Sequence, residues 1–310
     1  GAEAVENAIK ISYDHRGGGE LFTFEGAFHG RTLGALSLNR SKAVHRRDFP
    51  TVGRVQDLPF CDDRHCDRDS CDCGFFTGDG SALRRKLDPQ SGHVDPDDVA
   101  AIVVEPIQGE GGYRFPSDAF AEELDDITTE LDVPLVVDEV QAGVGRTGEF
   151  WASDHYPFEP DVIASAKALR VGATISSADV FPDEKGRLSS TWGGGDLLGI
   201  AMGAFTIDVI EEYDLQANAI ETGRAFRERF RDLTSDAEGV VDVRGKGLLL
   251  AVEFDTKQRR EDVLNAAVQR GLLTLGCGFK TLRLLPPLDS THREIELGAE
   301  ILAAAVEDSE

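Results

Sequence analysis

Apolar positions recur along this chain in two rhythms. At its start Ala4, Val5, Ala8 and Ile9 fall on one face at helical spacing, with good helix formers between them, which predicts a helix from residue 2 or 3 through residue 10. Other runs are short and mostly apolar: 21–24, 101–105 (AIVVE), 134–137 (PLVV) and 161–164 (DVIA). Such runs read as strands buried on both faces. A helical pattern over 118–131 lies among them, opened by Ser117 as N-cap. Continuous apolar strands separated by helices imply a parallel sheet covered on both sides. Residues 200–233 look mostly helical, with a break near Tyr213 and Asp214. The pattern then changes to strand over 240–243 and 247–254, helix over 261–271, strand over 282–285 and helix over 291–306. The reading is an α/β fold, with a large domain of mainly parallel sheet through residue 212 and a smaller α+β domain over 213–310. No internal repeat is visible.

Composition narrows the function classes. The 310 residues carry a formal charge of −25. A polyanion would be repelled, so nucleic acid is not an expected partner. The longest apolar stretch, 197–210, is short and contains Asp208, so no membrane span is expected. Lysine is scarce beside arginine (8 against 24). An acidic, lysine-poor surface suits a halophile, where salt screens self-repulsion. The chain opens directly on the helix, with no Met or targeting segment. The expectation is a cytoplasmic protein whose preceding part is missing here.

Parallel sheets bind ligands at the carboxyl ends of their strands. After 134–137 come Asp138, Glu139, Val140 and Gln141. After 161–164 come Ser165, Ala166 and Lys167. After 101–104 comes Glu105, then a Gly-rich turn holding Glu110. An acid, an amine and an acidic turn thus share one edge. A carboxylate and a lysine at adjacent strand ends are, by themselves, better explained by a salt bridge.

The surrounding residues are more specific. DEVQAGVGRTGEFWA (138–152) followed by PDVIASAKAL (160–169) resembles the signature of the class III, pyridoxal-phosphate-dependent aminotransferases of fold type I, the group of 4-aminobutyrate, acetylornithine and ornithine aminotransferases. GAEAVENAIK (1–10), AFHGRTLGALSL (27–38), VEPIQGEGGY (104–113), STWGGGD (190–196) and VRGKGLLLAVEF (243–254) match further blocks in the family's order. The resemblance spans nearly the whole chain. It implies transfer of an amino group from an amino acid or ω-amino acid to a 2-oxo acid such as 2-oxoglutarate. Two rivals remain: an amino-acid racemase or aminomutase with the same motifs, and an incomplete, catalytically silent fold.

The resemblance also assigns roles. Lys167 is the lysine that joins pyridoxal 5'-phosphate as a Schiff base and afterwards carries the substrate's proton. Asp138 pairs with the protonated ring nitrogen. Val140 and Phe28 pack on opposite ring faces, and Gln141 bonds the ring hydroxyl. His29 is either an accessory of this site or a packing residue. Gly1 and Ala2 offer backbone N–H groups to the phosphate at the positive end of a helix. Thr191 reaches the phosphate of a neighbouring subunit's cofactor, which implies a homodimer with shared sites. Arg283 grips the substrate α-carboxylate with a two-pronged fork, and Glu110 covers it when the substrate brings no such carboxylate. Glu139, pointing the opposite way along its strand, is structural.

One segment, about 57–80, stands between matched blocks as an insertion. It contains Cys61, Cys66, Cys71 and Cys73 in a C-x4-C-x4-C-x-C array with His65 inside. Four thiols so close suffice to enclose a structural zinc, though the spacing is not the usual paired C-x2-C. A loop of free or oxidised thiols is the alternative. Neither reading places it in the chemical step.

Overall fold

The computed structural model describes residues 1–78, 80–189 and 194–309. The chain divides into two compact units. The first holds 1–108, 114–141 and 153–206, and the second holds 109–113, 142–152 and 207–310.

Among the described residues the first unit is built on a six-stranded sheet. Its strands are β1 (Glu20–Phe24), β2 (Arg54–Leu58), β3 (Val99–Val104), β4 (Leu135–Asp138), β5 (Val162–Ser165) and β6 (Ala173–Ser176), in spatial order β2-β1-β3-β4-β5-β6. All neighbours are parallel except β6, which runs against β5. The apolar runs of the sequence are the central strands, and β3 and β4 are buried at every position. Helices cover both faces, as continuous apolar strands require. On one face α1 (Ala2–Arg16) lays Val5, Ala8 and Ile9 against Leu21, Val103 and Val136. It continues past residue 10 because Ile11 is buried in the same stripe, and it stops at Gly17, whose left-handed φ of 76° a side chain would resist. On the other face α3 (Asp118–Leu131), capped by Ser117, sets Phe120 against Phe24, Phe60 and Phe75 with ring centroids 4.8–5.1 Å apart. The short α2 (Leu33–Leu38) precedes α3 in the chain.

The helical stretch expected over 200–233 is two helices, α4 (Leu197–Glu212) and α5 (Leu215–Leu233), broken at Asp214, which is left-handed. In the second unit four antiparallel strands form a sheet in the order β9-β10-β8-β7: β7 (Val240–Lys246), β8 (Leu249–Phe254), β9 (Leu275–Cys277) and β10 (Thr281–Leu284). Helices α5, α6 (Lys257–Gln269) and α7 (His292–Glu307) pack on it through Phe226, Phe230, Val263 and Leu302. No helix among the described residues is long and apolar enough to cross a membrane.

Candidate active site

Asp138 is the last residue of β4 and lies opposite Ala164 of β5. Lys167 follows three positions later, exposed, at the head of a single 3-10 turn over Lys167–Leu169. Acid and amine therefore leave adjacent parallel strands at the same carboxyl edge. Glu139 turns the other way, as strand alternation demands: its Oε1 is buried and accepts the backbone N–H and the hydroxyl of Ser153, at 2.7 and 2.8 Å.

The Asp138 carboxylate is held from two sides. Its Oδ1 accepts the Val140 N–H at 3.0 Å, and Oδ2 lies 2.9 Å from Nδ1 of fully buried His29. Burial alone would push the imidazole toward its neutral form. The hydrogen bond and the charge of Asp138, helped by Glu105, outweigh that and raise its pKa above the usual value. Residues 28–30 are pinned by side chains at a distance in sequence. Glu105 Oε1 accepts the Phe28 N–H at 2.9 Å, Asn39 Oδ1 accepts the His29 N–H at 2.7 Å, and Asn39 Nδ2 donates to the Gly30 carbonyl at 2.8 Å. Phe28 is half-buried, its ring edge-on to His45.

Gly30 rests on the start of α1: at its φ of 144°, a Cβ would stand 2.8 Å from that of Ala2. Gly1 caps α1 with no side-chain partner for the first-turn N–H groups, and a Cβ there would meet Val140 at 3.0 Å and Ala166 at 3.7 Å. The start of α1, the 28–30 loop, Val140 and the residue before Lys167 thus meet in one place. Gln141 lies just beyond Val140, its Oε1 buried and without a hydrogen-bond partner among the described residues. Thr191 lies outside the described residues.

Glu110 and Arg283 belong to the second unit and meet there. Arg283 Nη1 is 2.8 Å from Glu110 Oε1, and both side chains are largely buried. The contact is ionic rather than a directed hydrogen bond, for Nε and Nη1 of Arg283 are buried without an aligned acceptor. The sequence gives no warning of what fixes the Glu110 loop. Arg244, buried in β7, donates to the carbonyls of Gly112 (2.6 Å) and Tyr113 (2.9 Å) and pairs with Asp242 and Glu253. Gly278 donates to the Glu110 carbonyl at 2.8 Å.

The sequence model of the family Aminotransferase class-III matches residues 1–306. The chain belongs to the class III aminotransferases. It is similar to an acetylornithine aminotransferase of Methanopyrus kandleri, at 36% identity over all of this chain and 73% of that protein. Its fold matches that of a lysine aminotransferase from M. tuberculosis with TM-score 0.89 at 29% identity, covering 100% of this chain and 74% of the other. An ornithine aminotransferase from Toxoplasma gondii ME49 matches with TM-score 0.83 at 28% identity, covering 100% and 72%. This aminotransferase is a transaminase of fold type I, and pyridoxal phosphate is the cofactor expected of its family. The residues fit that group. The orphaned Gln141 Oε1 awaits a donor, each Asp138 oxygen retains a lone pair, and the side-chain-free N-terminus of α1 suits a phosphate.

Proposed function

We propose that this aminotransferase passes an amino group from an amino acid or ω-amino acid to a 2-oxo acid such as 2-oxoglutarate. The observation that carries the reading is the Glu110–Arg283 pair. An arginine buried with two unmet donors is a carboxylate receptor, and the glutamate beside it neutralises it when the incoming amine brings no α-carboxylate.

Pyridoxal phosphate, when bound, supplies an electron sink at the carbon that bears the amine. The chain's own residues do the rest. Lys167, at a strand end, would carry the proton from that carbon to the cofactor's aldehyde-derived carbon, and in the reverse direction during the second half-reaction. Asp138, held in place by His29 Nδ1 and the Val140 N–H, turns its carboxylate toward the cofactor ring nitrogen. Gln141 Oε1 accepts the ring hydroxyl, and Val140 and Phe28 hold the ring faces. Gly1 and Ala2 present N–H groups to the phosphate at the helix's positive end.

A donor panel tests this, run on the full-length protein with 2-oxoglutarate. The names of the relatives put acetylornithine, ornithine and lysine among the first donors to try, beside 4-aminobutyrate. Formation of glutamate with release of the donor's oxo product is expected. Interconversion of stereoisomers or positional isomers with no oxo product would replace the reading with a racemase or aminomutase.

We also propose a homodimer, with Thr191 serving the partner's cofactor. Leu197, Leu198, Met202 and Phe205 of α4 are exposed in the single chain, an apolar surface of the kind that pairs. Light scattering at twice the chain mass supports it, and a monodisperse monomer rejects it. The charge of −25 supports a high-salt cytoplasmic setting.

A further inference from the structure

We propose that Cys61, Cys66, Cys71 and Cys73 hold one zinc ion in a tetrathiolate site that staples the loop after β2. All four are free cysteines, and their Sγ atoms lie within 4.8 Å of one another. The close pairs are Cys66–Cys71 at 3.3 Å, Cys71–Cys73 at 3.4 Å, Cys61–Cys71 at 3.7 Å and Cys61–Cys73 at 3.8 Å. A disulfide would need about 2.05 Å, so no pair is bonded. A tetrahedron with Zn–S of about 2.3 Å sets its sulfurs about 3.8 Å apart; Cys61 stands at that spacing from Cys71 and Cys73, and the other two close pairs are within 0.5 Å of it. An iron–sulfur cluster places two or more irons between its thiolates and needs them spread wider. His65, inside the motif by sequence, is exposed and outside the group.

The sulfurs are also arranged to bear negative charge. Backbone N–H groups of Cys73, Phe75 and Phe76 point at the Sγ atoms of Cys66, Cys73 and Cys71, at 3.3–3.4 Å. Donors aimed at sulfur favour thiolate, and several thiolates this close repel unless a cation stands among them.

The loop needs such an ion. Between Phe60 and Phe75 the cysteines are the only apolar residues, and acidic side chains dominate the rest. The ends are anchored: Phe75 packs on Phe120, and the Ser117 N–H donates to the Cys61 carbonyl at 3.1 Å. The stretch between them has almost no core of its own, yet its four cysteines turn inward together. On binding Zn²⁺ each thiol gives its proton to solvent, and four Zn–S bonds replace the missing hydrophobic contacts. The role is structural. The loop leaves β2 at one edge of the sheet, and three strands separate β2 from β5, whose end carries Lys167.

The test is metal analysis and X-ray absorption on enzyme purified without chelator. About one zinc per chain with a four-sulfur shell near 2.3 Å is expected. A mercurial titration should release that zinc as four thiols react. Cys277→Ser, which removes the fifth and remote cysteine, should leave the zinc in place. Cys66→Ser with Cys71→Ser should lower the zinc content about tenfold or more. Should that variant fail to fold, the titration of unsubstituted enzyme still decides. Zinc-supplied enzyme holding under about 0.1 zinc per chain, carrying iron instead, or binding zinc through nitrogen and oxygen, would overturn the proposal.

Discussion

Against the opposing effect of burial, the bond to Asp138 raises the pKa of His29. Because the folded-state pKa of His29 is raised, the bond's contribution is complete below the unfolded value of about 6.5 and fades as pH climbs through the folded value. His29→Asn should therefore cost about 1–3 kcal/mol in mildly acid buffer and less in alkaline buffer, read from unfolding midpoints across pH. A gap that does not change with pH would mean a neutral imidazole. Lys167→Ala should abolish turnover and leave no borohydride-fixed cofactor on the protein; a fixed adduct in that variant would move the assignment to another lysine. The placement of Asp138 and Lys167 at one edge of the sheet was legible because each follows an apolar run inside a contiguous motif. The role of His29 was not, because its partner lies 109 positions away and only the paired strands bring the two together. Arg244 was missed for the same reason: an arginine in a strand says nothing of the carbonyls it will reach.

Glu110 is set by its element as much as by its charge. Arg244 and Gly278 clamp the backbone of the 109–113 loop, so the side chain can leave Arg283 while the loop stays put. Glu110→Ala should depress the half-reaction with ω-amines and spare or improve the one with glutamate, each followed separately by absorbance. Equal loss in both would make Glu110 a loop-capping residue only. Sequence pattern reported elements in proportion to their burial. β3 and β4, buried at every position, were plain; β2, largely exposed with the sequence RVQDL, left no trace. β6, with no fully buried position, and the three-residue β9 carry too little apolar pattern to register. The break at Asp214 did show, because an acidic pair precedes a tyrosine and an aspartate where helix pattern lapses. Segments 109–113 and 142–152 group with the later half of the chain, which linear order conceals.

For the molecule as a whole, the charge of −25 predicts self-repulsion that salt relieves. The screening length falls from about 10 Å at 0.1 M to about 3 Å at 1 M, so most of the gain should come within that range. The melting temperature should rise steadily with KCl across it; a flat or falling curve would remove the high-salt reading and leave an ordinary acidic enzyme. The order of strands in the first sheet has another consequence, for synthesis. Helix α1 emerges long before Val136 and Val162, against which its stripe packs. At roughly 5–20 residues per second, the stripe of Val5, Ala8 and Ile9 stays uncovered for on the order of ten seconds or more. Assembly from such distant pairings is slow even after release. The nascent chain therefore passes through a sticky interval, and its yield in a foreign host should depend on chaperone supply and translation speed more than on the stability of the finished fold.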